Sequence, residues 1–253
     1  MRRLQIDYRA FPIILLFIIL AVIAVSFYNI KMEDVSKLLK NKEFLYSVLF
    51  SLQTSFFATL FAFVFGFPSG LYLARNRSAL SDIVDVIVDI PMVLPPLIVG
   101  VLLITFLKST YIENIYTFIF TPSGAVAAQF IVALPLIIKA SKSSFELVPQ
   151  IYETIAMTLG SKPCKAFYDT TFKIAFRGIM SGVVLAWLRC MGEFGATLLI
   201  GGGIPYKTEN IPINIYINIS SGDFSMGMAA SVLSIGIVII FVVIIKFLTI
   251  KRF

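Results

Sequence analysis

The chain contains no histidine, only two cysteines and one tryptophan, and just 14% of its 253 residues are charged. Each shortage excludes something. Without imidazole there is no side chain whose unperturbed charge changes near neutral pH, and the commonest metal ligand is missing. Cys164 and Cys190 stand far apart without Cys-x-x-Cys spacing, which suggests neither a disulfide framework nor a zinc site. A charged share well below the roughly 25% of an ordinary soluble domain is too small for a water-facing surface. The phosphate-loop pattern Gly-x-x-x-x-Gly-Lys-[Ser/Thr] does not occur, so any ATP work is expected to belong to another subunit. No nucleophile, base or metal cluster typical of a membrane enzyme stands out.

What is present is apolar: 58% hydrophobic residues, 24 of them Phe, and a mean hydropathy of +0.94. These residues come in unbroken blocks at about Phe11–Phe27, Phe44–Leu73, Ile83–Leu107, Gly124–Ile138, Gly178–Gly203 and Met226–Phe247. Continuous runs of this length read as bilayer-spanning helices, whereas a lipid-facing barrel would alternate apolar with polar residues. The fourth block is short and extends through Phe145 if Lys139 and Lys142 snorkel to the interface. The first follows Arg2, Arg3 and Arg9, is too long for a signal peptide, and is read as a retained helix. The fold expected is therefore all-α, a polytopic membrane protein with six transmembrane helices and no separate soluble domain.

The net charge of +7 is spread over the loops between blocks, which argues for topology and against nucleic acid. With the N-terminus inside, fourteen of the 21 Lys and Arg residues lie on the inner side and six outside, Arg189 falling within a block. The positive-inside rule then places both termini in the cytoplasm. The first outer loop is discordant, because Lys31, Lys37, Lys40 and Lys42 stand there among Glu33, Asp34 and Glu43.

The longest inner loop is organised. Pro149 suits the first turn of a helix, Ile151, Ile155 and Leu159 repeat at four-residue intervals, and Gly160 suits a left-handed end. Ser161 and Pro163 open a second helix. Two helices meeting at a sharp turn form a knob for a partner's groove.

The run Glu153-Thr154-Ile155-Ala156-Met157-Thr158-Leu159-Gly160, with Phe167 beyond it, resembles the Glu-Ala-Ala loop of permeases of ATP-binding-cassette importers. It departs from that loop at Thr154, Ile155 and Lys173. Further matches are Gly66-Phe67-Pro68 with Leu73-Ala74-Arg75, Ile90 to Pro96 with Gly100, and Gly192-Glu193-Phe194-Gly195-Ala196-Thr197. Over about residues 51–229 these are similar to permeases of molybdate and tungstate importers, and sulfate permeases share much of the pattern. The resemblance implies that residues 1–253 form a single transmembrane permease domain in the cytoplasmic (inner) membrane. It implies that a loop at about 146–173 couples to the ATPase through Glu153, Ala156, Leu159, Gly160 and Phe167. It also implies a translocation pathway near Pro95, Pro96, Arg189, Gly192, Glu193, Phe194 and Gly195. The partners implied are two copies of an ATPase subunit, which uses ATP and Mg, a second copy of the permease and an extracytoplasmic binding protein. No cofactor is expected in this chain.

Physical readings stand beside the resemblance. Prolines 91, 95 and 96 break the hydrogen-bond ladder of block three, as expected near a pathway but also common in packed membrane helices. Gly66 with Gly70, Gly178 with Gly182, and Gly192 with Ala196 are small pairs that let helices approach closely. Arg189 stands about 16 Å beyond Gly178 at 1.5 Å per residue, near mid-membrane, with Glu193 on the same face; the pair either holds the bundle or lines a path. Asp85 and Asp89, near the start of block three, are expected to cap and anchor that helix. The segment Asn210–Tyr216 is expected to form a short outer helix, and Asp223 or Ser225 to cap the last one.

Overall fold

The structure is a computed structural model and describes residues 10–28, 30–109 and 112–250. Arg2, Arg3, Arg9, Lys251 and Arg252, on which part of the topology argument rests, lie outside the described residues. In chain order the helices are α1 (Ala10–Tyr28), α2 (Met32–Lys40), α3 (Lys42–Arg75), α4 (Ala79–Val93), α5 (Pro96–Ser109), α6 (Ile112–Ile115) and α7 (Pro122–Glu146). There follow α8 (Ile151–Thr158), α9 (Pro163–Phe167), a π-helical turn (Tyr168–Phe172), α10 (Lys173–Met191), α11 (Gly195–Gly201), α12 (Ile211–Ser220) and α13 (Phe224–Ile250). No strand occurs among the described residues.

Among the described residues, four stretches are long and apolar enough to cross a membrane: Lys42–Arg75, Pro122–Glu146, Pro163–Met191 and Phe224–Val243. The pair α4–α5 makes a fifth if it is one span, but it is bent by 114° at Leu94–Pro95. Block three is thus no straight helix, because Pro95 and Pro96 offer no amide to carry the ladder across the break. The first block is the 19-residue α1, which is mostly exposed and touches α13.

Local chemistry explains the boundaries. Asn41, Ser78, Thr121 and Asn210 accept hydrogen bonds from amides in the first turns of α3, α4, α7 and α12, satisfying donors a helix start leaves free. Asp223 does the same for α13, its Oδ1 accepting from Met226 N at 3.2 Å. The fourth block does run on to Glu146.

The core is built round α7, clasped between α3 and α10. At Gly70 an added Cβ would stand 2.6 Å from Ser141 Cβ, 2.7 Å from the Ile138 carbonyl oxygen and 2.9 Å from the Lys142 amide nitrogen. Gly178 meets Ser144 and Gly182 meets Ala140 more tightly still. Small residues let two backbones close on α7, and dispersion between them holds helices together in lipid, where no hydrophobic drive operates. Phe63, Phe67, Phe145, Phe167 and Phe172 pack together where α3, α7 and the π turn meet. At the other end α2 buries Leu38 against Phe44, Ala229 and Ala230, tying α3 to α13.

Candidate functional site

The structure brings together most of the residues expected to line a pathway. The fifth block is interrupted at Gly192–Phe194, and this break lies against the break of α4–α5. A Cβ on Gly195 would stand 3.0 Å from the Leu97 amide nitrogen and 3.2 Å from Pro96 Cβ, and one on Gly100 would stand 3.0 Å from Ala196 Cα. Pro95 and Gly192 are exposed here and Pro96 is half-buried.

Arg189 and Glu193 occupy the same place, joined by Arg189 Nη1 donating to Glu193 Oε2 at 2.6 Å. The two differ in surroundings. The Glu193 side chain is wholly buried while that of Arg189 is 40% exposed. Glu193 Oε1 also accepts from Ala196 N at 3.1 Å, capping α11, and its carbonyl accepts from Asn210 Nδ2 at 2.7 Å. Glu193 is thus a structural joint between α10, α11 and α12, and Arg189 keeps guanidinium donors on the open side. Phe194 packs against Tyr216 of α12 with ring centroids 5.1 Å apart and planes tilted by 54°, so it braces α12.

One expectation shifts. Gly192 meets only its own helix's carbonyls, at 3.7 Å or beyond, so Gly195 rather than Gly192 marks the close approach. Next to Arg189, Cys190 donates to the Gln129 carbonyl at 3.4 Å, about 10 Å along α7 from Pro122. The Gln129 side chain is fully buried with neither amide atom partnered.

At the opposite end, α8 forms the anticipated knob. It begins at Ile151, two residues after Pro149, and ends in a Schellman turn: Ser161 N donates to Ala156 O at 3.0 Å and Gly160 N to Met157 O at 2.9 Å, with Gly160 at φ +94°. Ile151, Ile155 and Leu159 are 55%, 49% and 82% exposed. Phe167 points inward onto Phe145. Glu153 does not face outward either: its Oε1 accepts from Arg75 Nη2 at 2.6 Å and from the Thr171 hydroxyl. The second helix starts at Pro163 but continues through the π turn into α10.

A charged cluster was not anticipated. Lys139 Nζ lies 2.8 Å from both Asp85 and Asp89, and Lys142 Nζ lies 2.9 Å from Asp85. The carboxylates pin α4 to α7 by ion pairs with both lysines; the cap expected of Asp85 and Asp89 is instead the Ser78 hydroxyl. The matched spacings, four residues between the acids and three between the lysines, were the available signal.

A second unanticipated group is Glu209, in the loop before α12. It is buried, its Oε1 accepts from Asn214 Nδ2 at 2.5 Å, and its Oε2 has no partner. Burial, opposed by the Asn214 bond and aided by Glu43, pushes its pKa up to about 7.

A family model described as the binding-protein-dependent transport system inner membrane component matches residues 66–251. The chain belongs to this family. Members of the same broad class recur among its relatives. It is 35% identical over 178 residues to the probable transport system permease protein NifC of Clostridium pasteurianum, covering 67% of this chain and 62% of that relative, a little under two thirds of its length. It is 35% identical over 190 residues to the molybdenum transport system permease protein ModB of Escherichia coli K12, covering 72% of this chain and 83% of that one. Among solved structures, its fold is similar to a bacterial transporter involved in alginate import, with TM-score 0.71 and 17% identity over 97% of this chain and 91% of that one. A methionine transporter in an inward-facing form gives TM-score 0.60 and 20% identity over 81% and 92%. As an inner membrane component of a transport system, the chain is a multi-helix membrane permease.

Proposed function

We propose that this chain is the non-catalytic permease subunit of an ATP-driven importer that moves molybdate or tungstate across the cytoplasmic membrane. The observation that carries the reading is the meeting of two helix breaks beside a half-exposed arginine. Broken helices leave backbone groups free, which lipid tolerates only where protein or a water-filled cavity satisfies them. A guanidinium held there by Glu193, with donors to spare, suits a tetrahedral dianion. The relatives named for molybdenum transport support the substrate class.

The exposed breaks of one copy enclose little, so the pathway forms between two copies about a two-fold axis. Each copy presents the apolar face of α8, with Ala156, Leu159 and Gly160 shaping it, to one of two ATPase subunits that use ATP and Mg. Both termini lie in the cytoplasm. A single oxyanion pathway need not choose among similar dianions, so an extracytoplasmic binding protein with a closed, hydrogen-bonded site makes the selection.

The test is reconstitution with the ATPase and binding protein, measuring competition of molybdate, tungstate and sulfate for uptake. Molybdate- or tungstate-driven uptake is expected. Sulfate-driven uptake indifferent to the metal oxyanions overturns the substrate, and failure of an ATPase to co-purify overturns the importer. Cysteine labels at Ser36, Ser109 and Lys207 are expected to react from outside and those at Ser78 and Ser161 not to; the reverse pattern overturns the orientation.

A further inference from the structure

Arg75 has an ordinary explanation as a topological charge at the end of α3, yet its side chain is only 18% exposed. Its Nη2 reaches Glu153 Oε1 at 2.6 Å and Thr171 Oγ1 at 3.3 Å, and the Thr171 hydroxyl donates to the same carboxylate oxygen. Thr171 is fully buried and sits in the π turn, a form often found at functional sites. Three elements, 78 and 18 residues apart in sequence, thus converge on one oxygen of Glu153.

We propose that Arg75 is a positioning residue for energy coupling: with Thr171 it tethers α8 to the transmembrane bundle through Glu153, so that the knob and α3 move as one. The proposal rests on the importer reading. Glu153 is then a tether and not itself a docking contact, because its carboxylate is turned inward while Ile151, Ile155 and Leu159 face out. The tether has somewhere to lead. α3 runs 34 residues, about 50 Å at 1.5 Å per residue. Near its far end Ser51 Oγ accepts from Ile211 N at 2.8 Å and the Tyr46 hydroxyl donates to the Lys207 carbonyl at 3.3 Å. One helix therefore holds α8 at one end and the start of α12 at the other. A displacement of α8 imposed by the ATPase reaches α12 along α3.

The experiment uses the complete transporter in proteoliposomes, with the permease as wild type, Arg75→Met, Arg75→Lys, Glu153→Gln and the double variant Arg75→Met/Glu153→Gln. Uptake and ATP hydrolysis are read on the same vesicles, and a pair of spin labels at Thr158 and Ser69 reports the α8–α3 distance. Arg75→Met is expected to assemble with the ATPase and hydrolyse ATP while uptake per ATP falls about fivefold or more, the lower edge of ordinary coupling between sites. The label distance broadens, Arg75→Lys recovers part of both, and the double variant is no worse than either single one. Normal uptake per ATP in Arg75→Met with a broadened label distance overturns the coupling role. An unchanged label distance overturns the tether. Additive losses in the double variant also overturn it, since Glu153 would then act on the ATPase independently of Arg75. Absence of ATP-driven uptake in the wild type counts against the importer reading instead, and the label distances still decide whether the tether exists.

Discussion

Gly160 concentrates the whole cost of a substitution in one backbone torsion. Its φ is +94°, and a Cβ built there meets nothing within 4 Å, so the branch point of a Val at this position stands in open space. What it adds is the left-handed penalty of an L side chain, about 1–2 kcal/mol, more for a β-branched residue than for Asn. That strain falls on the turn formed by the Ser161–Ala156 and Gly160–Met157 bonds, at the end of a helix of only eight residues. A penalty of this size lowers the local ratio of formed to unformed turn about 5- to 30-fold. With α8 misdirected, Leu159 no longer stands where the partner's groove expects it. In reconstituted transporter, Gly160→Val is expected to insert normally and to lose most substrate-stimulated ATP hydrolysis and uptake, while Gly160→Asn loses markedly less. Equal activity in Val and wild type, or equal damage by Asn and Val, refutes the reasoning: the first removes the turn from the coupling path, the second removes torsion as the cause.

Gly70→Ala places a methyl against the Ile138 carbonyl and the Lys142 amide, backbone that cannot swing aside, so a loss of about 1–3 kcal/mol is expected in unfolding from mixed micelles; no loss sinks the α3–α7 packing account. Arg189→Met is expected to leave folded, ATPase-bound protein with weak anion flux, because Glu193 keeps its cap to Ala196; normal flux in a stable variant excludes the pathway role. Glu209, with a folded pKa raised to about 7 from 4.5, stabilises the fold fully below pH 4.5 and loses that contribution as pH rises to about 7. Thermal unfolding of wild type is therefore expected to fall between pH 5 and 8 more than that of Glu209→Gln, and parallel curves refute the assignment.

What was legible in the sequence was local. Gly160 can be read because a left-handed helix end needs a particular residue at one position. The pairs Gly66/Gly70 and Gly178/Gly182 can be read because four-residue spacing puts them on one face. Arg75 and Glu153 escaped because each already had a sufficient local explanation, one as an inner-side charge and the other as a motif residue. Asp85 and Asp89 escaped likewise, since carboxylates near a helix start suggest a cap until Lys139 is seen across the gap. Prolines announced that block three breaks but not by what angle, which is decided by the helices packed against it. Arg189 and Glu193 were flagged as a pair, and only the burial of one and the exposure of the other divides their roles.

The π turn at Tyr168–Phe172 has a further consequence for how this chain tolerates length changes. A π turn carries one residue more than an α turn, so it takes up an extra residue without re-aiming the helix that follows. Within it Thr171 is aimed at Glu153, and beyond it Gly178 and Gly182 are aimed at α7. Deleting a residue of Tyr168–Phe172 other than Thr171 restores plain α pitch and keeps both sets of contacts nearly in phase, whereas deleting one from the plain helix after Lys173 rotates them by about 100° against each other. The turn is thus a slack link between two interfaces on one rod, and it absorbs the single-residue change in length that the plain helix beyond it cannot.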